Sequence, residues 1–458
     1  MANEYCSSEK NSKNRVFKGS GLSRRSLLAT AAAAAAGVVA APHIAGAQVK
    51  TLAFWTTQRG PTQVKVYEEV WAEFSKQNPN IKIETQYLTE EEYLPKLTSA
   101  LAANAAPALM SHIPPEFALV LRDRGILGSM DEVIKGIGES DFYENSLELH
   151  KDPQSGGYFS LSIVNSTTTG PLWYRKDLFS ASGVQVPKSW PELIAASKAL
   201  TKGGIFGNVY PFGKTSMGDK LFLQTIWQAG GSICNPDLSV AFNSQQVVRA
   251  LEFVKEVIPF SPQASGTYSY TEVINAFVQG RVAMAPYSGR IMVNAQENAR
   301  IRDEIAVMPY PTLAEKDGGR DVFVADFQSL VIPKAAADQA ASRAMAMWLL
   351  KKENYIKFLL SVPGHNLPNL KSISTAPEYL SDPLLQKHKG DFETLIKATG
   401  ISRSMLKETP QHKINTKAGA ILNSRVIVEA VHDVIIGNVS PKDAAARGAD
   451  KIAAIMKG

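Results

Sequence analysis

The side chains in the body of this 458-residue sequence that could do acid–base, nucleophilic or metal chemistry are six histidines, one cysteine and a scatter of carboxylates. His112, His150, His365, His388, His412 and His432 never share a helical turn. With Cys234 as the one thiol beyond the first 47 residues, no zinc, iron–sulfur or c-type haem spacing exists. Gly213-Lys214-Thr215 resembles the end of a phosphate-binding loop, but the required first glycine falls on Asn208. Neither G-x-S-x-G nor G-x-G-x-x-G occurs. Glu90-Glu91-Glu92 reads as a helix start, where negative charge meets the positive end of the dipole. Asp326 closes the apolar run from Val322, and serves either as a strand-end cap or as a functional acid. The expectation is a protein without metal or cofactor that binds rather than catalyses.

Charge and length must be read after the N-terminus is set apart. Residues 1–47 combine a basic stretch (Lys10, Lys13, Arg15, Lys18, Arg24, Arg25), an alanine-rich apolar core and Ala45-Gly46-Ala47, the pattern of a cleavable export signal. Ser23-Arg24-Arg25-Ser26-Leu27-Leu28 resembles the twin-arginine signal, with general secretion as the alternative route. The formal charge of +6 invites a nucleic-acid or membrane partner. Six of the 49 basic and two of the 43 acidic side chains leave with the signal, so the remainder is nearly neutral and no nucleic-acid partner is expected. Cys6 leaves too, which removes any intramolecular disulfide. A free, monomeric periplasmic protein is the expected product. At 45% hydrophobic residues, its length suits two filled lobes rather than a disordered chain.

Strand and helix alternate. Leu52–Trp55, Ile81–Ile83 and Pro107–Met110 read as strands, and residues 63–76, a stretch opened by the capping box Thr89-Glu90-Glu91-Glu92, and 116–124 read as helices. This alternation predicts a right-handed parallel α/β sheet. A second α/β lobe starts near Leu172, with a further capping box at Ser189–Glu192, strands at Val282–Ala285 and Ala325–Ile332, and a helical C-terminus opened by Ser440-Pro441.

Several segments in consistent order carry a resemblance. Trp173-Tyr174-Arg175-Lys176-Asp177-Leu178-Phe179 is followed by Val186-Pro187-Lys188-Ser189-Trp190-Pro191-Glu192-Leu193, then Ala276–Met284, Ser329–Lys334 and Gly364-His365-Asn366-Leu367-Pro368. Together they resemble the extracellular solute-binding proteins of family 1. Departures fall at Pro107-Ala108, Tyr287-Ser288-Gly289-Arg290 and Asp326-Phe327-Gln328.

The resemblance implies a two-lobed, type II-like periplasmic-binding-protein fold of the α/β class. It implies three hinge crossings and a ligand cleft between lobes made of 48–162 with 310–364 and 163–309 with 365–458. It implies binding of a mono- or oligosaccharide or sugar derivative, and delivery to the transmembrane permease subunits of an ATP-driven (ABC) importer. The matching positions nominate Trp55, Thr57, Gln58, Arg59, His112, Glu116, Asn165, Thr167, Trp227, Tyr287, Arg290, Asp326, Asn366 and Asn423 as ligand contacts. Arg59 and Arg290 keep an anionic ligand open, such as a glycerol phosphodiester or sugar acid, because guanidinium forks match such groups. A periplasmic carbohydrate-active or redox enzyme is the alternative of another class.

Overall fold

The computed structural model describes residues 49–458 except 153, 154, 167 and 168 and the side chains of 90, 91, 115, 116 and 145. The export signal, its cleavage point and Thr167 lie outside the described residues.

Strand β1 (Lys50–Thr56) lies between β2 (Ile81–Tyr87) and β3 (Leu109–Ile113), parallel to both. Helix α1 (Pro61–Gln77) crosses between β1 and β2, and its Tyr67, Val70, Trp71 and Phe74 form the stripe that buries against the sheet. Phe54 of β1 meets the rings of Tyr67 and Trp71 at 5.1 and 4.9 Å. The capping box at Thr89 is present. Its hydroxyl accepts from the Glu92 amide (3.3 Å) while Glu92 accepts from the Thr89 amide (2.7 Å), opening α2 (Glu90–Ala102). Helix α3 (Pro115–Asp123) follows β3.

The chain leaves this sheet through β4 (Leu161–Ser166) and builds a second, antiparallel sheet from β5 (Leu172–Arg175), β6 (Met284–Pro286) and β7 (Ile305–Met308), in the order β6-β5-β7. It returns through β8 (Phe323–Val324) and β9 (Asp326–Val331). β9 inserts antiparallel between β3 and β4, giving the order β2-β1-β3-β9-β4. The expected parallel sheet is therefore mixed. The cause is directional: β1, β3 and β4 end at the boundary between the sheets, whereas β9 begins there.

Pairing also shows where the chain changes sheets. β4 stays in the first sheet through Ser166, past the expected boundary at 162. β8 pairs with β10 (Ser402–Arg403), so the first sheet is regained at Asp326 rather than at 310. The third passage runs beside β4, where Asn165 and Leu367 exchange backbone hydrogen bonds of 3.0 and 3.2 Å.

Around the first sheet, helices Gln339–Leu350 and Lys352–Leu360 cover α1, with the Trp348 indole donating to the Val70 carbonyl at 3.0 Å. Around the second, helices Val426–Ile435 and Pro441–Lys457 pack on Ser216–Gln228 and Gln245–Val257. Ser440 caps the last helix as expected, accepting from Asp443 at 3.1 Å. At Ser189 the expected capping box is absent. A tertiary contact holds that helix start instead: the Trp190 amide donates to the Thr312 carbonyl (3.0 Å), and Glu192 accepts from the Lys188 amide (2.6 Å). Among the described residues no helix is long and apolar enough to cross a membrane.

Candidate functional site: a polar cleft between the sheets

The strand ends of the first sheet face helices of the second across a cavity of about 420 Å³. In open α/β sheets this is where ligands bind, because strand ends present loop backbone and side chains that the core does not absorb.

On the first-sheet side, Thr57 and Gln58 follow β1, and His112 comes from β3. His112 has a left-handed backbone (φ 57°) inside a strand, and the pairing of β3 with β9 slips between Met110 and Ile113. A slip of this kind redirects one side chain out of the pleat, at an energetic cost that other packing must offset. The imidazole stands edge-on to Phe358 at 5.6 Å, with Nδ1 3.2 Å from the Ser111 hydroxyl. Burial, reinforced by the charge of Arg290, lowers its pKa to about 3, so it is neutral.

The β4–β9 register supplies the floor. Ser166 pairs with Asp326 and Val164 with Gln328, and all four line the cavity. Asn165, paired with Phe327 between them, points to the opposite face of the sheet, as the two-residue period requires. The Asp326 carboxylate accepts from Lys220 Nζ at 2.9 Å and from Gln328 Nε2 at 2.8 Å. Lys220 lies on helix Ser216–Gln228, so this nearly buried ion pair ties the second lobe to the first.

On the second-sheet side, Tyr270, Thr271, Ile274 and Asn275 project from the helix Tyr270–Val278, whose Val273, Ala276 and Phe277 are buried. Tyr287 follows β6 and meets the Tyr270 ring edge-on at 6.3 Å. The Trp173 indole fixes the turn by donating to the carbonyls of Tyr287 (3.0 Å) and Ser288 (3.1 Å). The Ser288 hydroxyl is 2.7 Å from Nδ1 of His365 in the third passage. Burial first, then the charge of Arg290 and the nearby His112 ring, hold His365 well below the usual imidazole range. Arg290 begins the helix Arg290–Ala295 and faces the cavity together with Asn294 one turn on.

Three cavity-lining atoms are buried without a hydrogen-bond partner: Gln58 Oε1, His112 Nε2 and Asn366 Oδ1. Buried polar groups are normally satisfied. Both amide oxygens need donors, and so does His112 Nε2 if Nδ1 carries the ring proton toward Ser111.

Of the nominated residues, Thr57, Gln58, His112, Tyr287, Arg290, Asp326 and Asn366 converge on this cavity. Five do not. Trp55 is buried in the first lobe's core, with Lys96 Nζ 5.7 Å above its ring. Trp227 is buried on a helix enclosed all round, and its indole donates to Glu408 at 2.7 Å. Arg59 and Asn423 are exposed and do not line the cavity, and Asn165 faces away from it. Glu116 is the second residue of α3, and its side chain lies outside the described set, as does Thr167. The loop-like Gly213-Lys214-Thr215 turns out to be a helix start, with Thr215 accepting from the Gly218 amide at 3.4 Å and Lys214 paired to Glu429.

Lys220, Tyr270, Thr271, Asn275, Asn294, His365 and Gln328 join the site without having been nominated. A signal existed for two groups. Gln328 follows Asp326 by the strand period, and Thr271 and Asn275 sit four apart on a helix with an apolar opposite face.

Among the described residues, no three His, Cys, Asp or Glu side chains cluster so as to hold a metal.

The fold has counterparts among known proteins. YcjN of Escherichia coli K12, provisionally named as an ABC transporter periplasmic-binding protein, is 21% identical over 387 residues, covering 81% of this chain and 85% of YcjN. Among solved structures, an ABC transporter solute-binding protein from Thermotoga lettingae, bound with alpha-D-tagatose, superposes with a TM-score of 0.73 at 21% identity, covering 89% of this chain and 100% of that one. The GacH receptor of Streptomyces glaucescens, solved unliganded and with acarbose, gives a TM-score of 0.74 at 21% identity, covering 89% and 98%. At that identity the likeness shows the shared two-lobed fold. The sequence profile of the bacterial extracellular solute-binding proteins matches residues 60–356, well over half of the sequence, and the chain belongs to that family.

Proposed function

We propose that this protein is the periplasmic solute-binding component of an ATP-driven importer, holding a mono- or oligosaccharide, a polyol or a derivative of one in the cleft between its lobes. The observation that carries this reading is the set of unpartnered atoms, Gln58 Oε1, His112 Nε2 and Asn366 Oδ1, converging on one polar cavity. A polyhydroxylated ligand supplies hydroxyl donors to such atoms, and Tyr270 and Tyr287 offer ring surface to its C–H faces. Tagatose and acarbose in the two structural neighbours are in keeping with this class.

Binding without turnover is the second half of the proposal. Glycoside hydrolysis ordinarily needs two carboxylates flanking the bond. Asp326 is the one carboxylate among the described lining residues, and it is held by Lys220 and Gln328. In this reading residues 1–47 export the chain, the two lobes close about the three passages, and the closed monomer docks on the permease.

A thermal-shift screen of residues 48–458 against monosaccharides, oligosaccharides and polyols, with each mixture followed by chromatography, tests this. At least one compound is expected to raise the melting temperature and to be recovered unchanged. Product formation would sink the binding reading, and a folded protein that no member of those classes stabilises would sink the ligand class.

A further inference from the structure

Among the described residues lining the cleft, the carboxyl, ammonium and guanidinium groups belong to Asp326, Lys220 and Arg290. Burial holds the imidazoles of His112 and His365 neutral. Lys220 and Asp326 neutralise each other at 2.9 Å. Among the described residues no carboxylate pairs with Arg290, and its backbone amide, not its guanidinium, makes the hydrogen bond to Ser288. Among the described lining residues Arg290 is therefore a positive charge without a carboxylate beside it, on a half-buried side chain. Taking a charge out of water without a partner is costly, so such a group is ordinarily paired. Arg290 follows the turn that Trp173 pins, and it shares the cavity wall with Tyr287, Asn294 and the neutral histidines.

We infer that the ligand is a polyhydroxylated monoanion, a sugar acid or a polyol phosphodiester, whose charged oxygens sit on the Arg290 guanidinium while its hydroxyls meet Gln58, His112 and Asn366. A planar fork of donors matches a carboxylate or phosphodiester with two parallel hydrogen bonds. Among the described lining residues one positive charge stands without a carboxylate, which argues for one negative charge on the ligand. A phosphate monoester carries about −1.5 to −2 at neutral pH and would leave the cleft negative. The burial that depresses the Arg290 pKa accords with a site whose charge awaits a partner. Arg59, the other arginine that could have served an anion, is exposed and does not line this cavity. The inference rests on the proposed solute-binding role of the cleft.

The test titrates wild type and Arg290→Gln with D-galacturonate, D-glucuronate and glycerophosphoglycerol, alongside galactose, glucose and galactose 6-phosphate. At least one monoanion is expected to bind tenfold or more tighter than its neutral or doubly charged counterpart. Whether a hexuronate or the phosphodiester binds separates the two sources of charge. Arg290→Gln should weaken it about 30-fold or more, equivalent to about 2 kcal/mol at about 1.4 kcal/mol per tenfold. The unliganded variant should melt no lower than wild type, because an unpaired charge has been removed. A hexose binding as tightly as its acid, or affinity that survives Arg290→Gln, overturns the charge assignment while leaving the solute site intact. A melting temperature several degrees lower for the unliganded variant also overturns it, since Arg290 would then be holding the fold. If none of the acids binds, the inference fails, whereas the saccharide and polyol screen decides the underlying role separately.

Discussion

Gly289→Val is expected to lower ligand affinity by about 100-fold or more while leaving a folded protein. A Cβ at this position would lie 2.1 Å from the carbonyl oxygen of Gly364 and 2.5 Å from its carbon, and 2.8 Å from a Leu395 methyl. Two of those atoms are backbone and cannot swing away. Gly364 is itself constrained: its φ of 75° favours glycine, and a Cβ there would meet the Met292 methyl at 1.9 Å. The two glycines bring the turn bearing Tyr287 and Arg290 against the passage bearing His365 and Asn366. Forcing them apart by an ångström or so displaces four cleft residues together, and misplacement on that scale is worth about 10²-fold in positioned chemistry. The proper contrast is Gly390→Ala, on the helix Lys389–Gly400. A Cβ there meets nothing within 4 Å, and the change should leave binding intact and add about 0.5–1 kcal/mol of helix stability. Titration of both variants with a wild-type ligand checks the pair.

Glu408→Ala is expected to cost about 3–6 kcal/mol of folding free energy, measured by urea denaturation, with ligand affinity of the surviving folded protein nearly unchanged. Glu408 is buried, and among the described residues its carboxylate makes no salt bridge. Oε2 accepts from the Trp227 indole (2.7 Å) and the Ile233 amide (2.8 Å), and Oε1 from the Cys234 amide (2.9 Å). Alanine would leave three buried donors unsatisfied, at about 1–3 kcal/mol each before relaxation. Burial raises the Glu408 pKa although the three donors favour the charged form. His412 completes the clasp through the Cys234 carbonyl, 2.9 Å from its Nε2. Glu408→Gln should lose less, because the amide oxygen can still accept from Trp227 and Ile233. If both variants were as stable as wild type, the clasp would not be holding this loop.

These two residues mark what a sequence can show. Amphipathic stripes and caps are local, so α1, the Thr89 box and the Ser440 cap follow from spacing alone. The apolar run closed by Asp326 is equally local, although Asp326 opens β9 rather than ending a strand, and it leads to the cleft floor once β4 and β9 are known to pair. Trp227 is different. Its helix is buried on every side, so no polar face marks which way it points, and the acid that receives its indole lies 181 positions away. Trp55 likewise sits in a strand buried on both faces, where alternation gives no direction. Lys220 and His365 were passed over for the same reason: their direction is set by distant packing. The antiparallel return of β9 is a consequence of topology, since the chain must leave one lobe and come back to it. The capping pattern at Ser189 failed because a passing segment at Thr312 had already taken the role.

The central claim is that one cavity, walled by both lobes, is where a small solute is held. Isothermal titration of the tightest compound from the screen into wild type and into His112→Ala/Asn366→Ala tests it most directly. The account predicts one site per chain with a dissociation constant in the micromolar range or below, weakened at least 100-fold in the double variant, which circular dichroism shows still folded at the titration temperature. Equal affinity in the two proteins would place the ligand elsewhere and contradict the account.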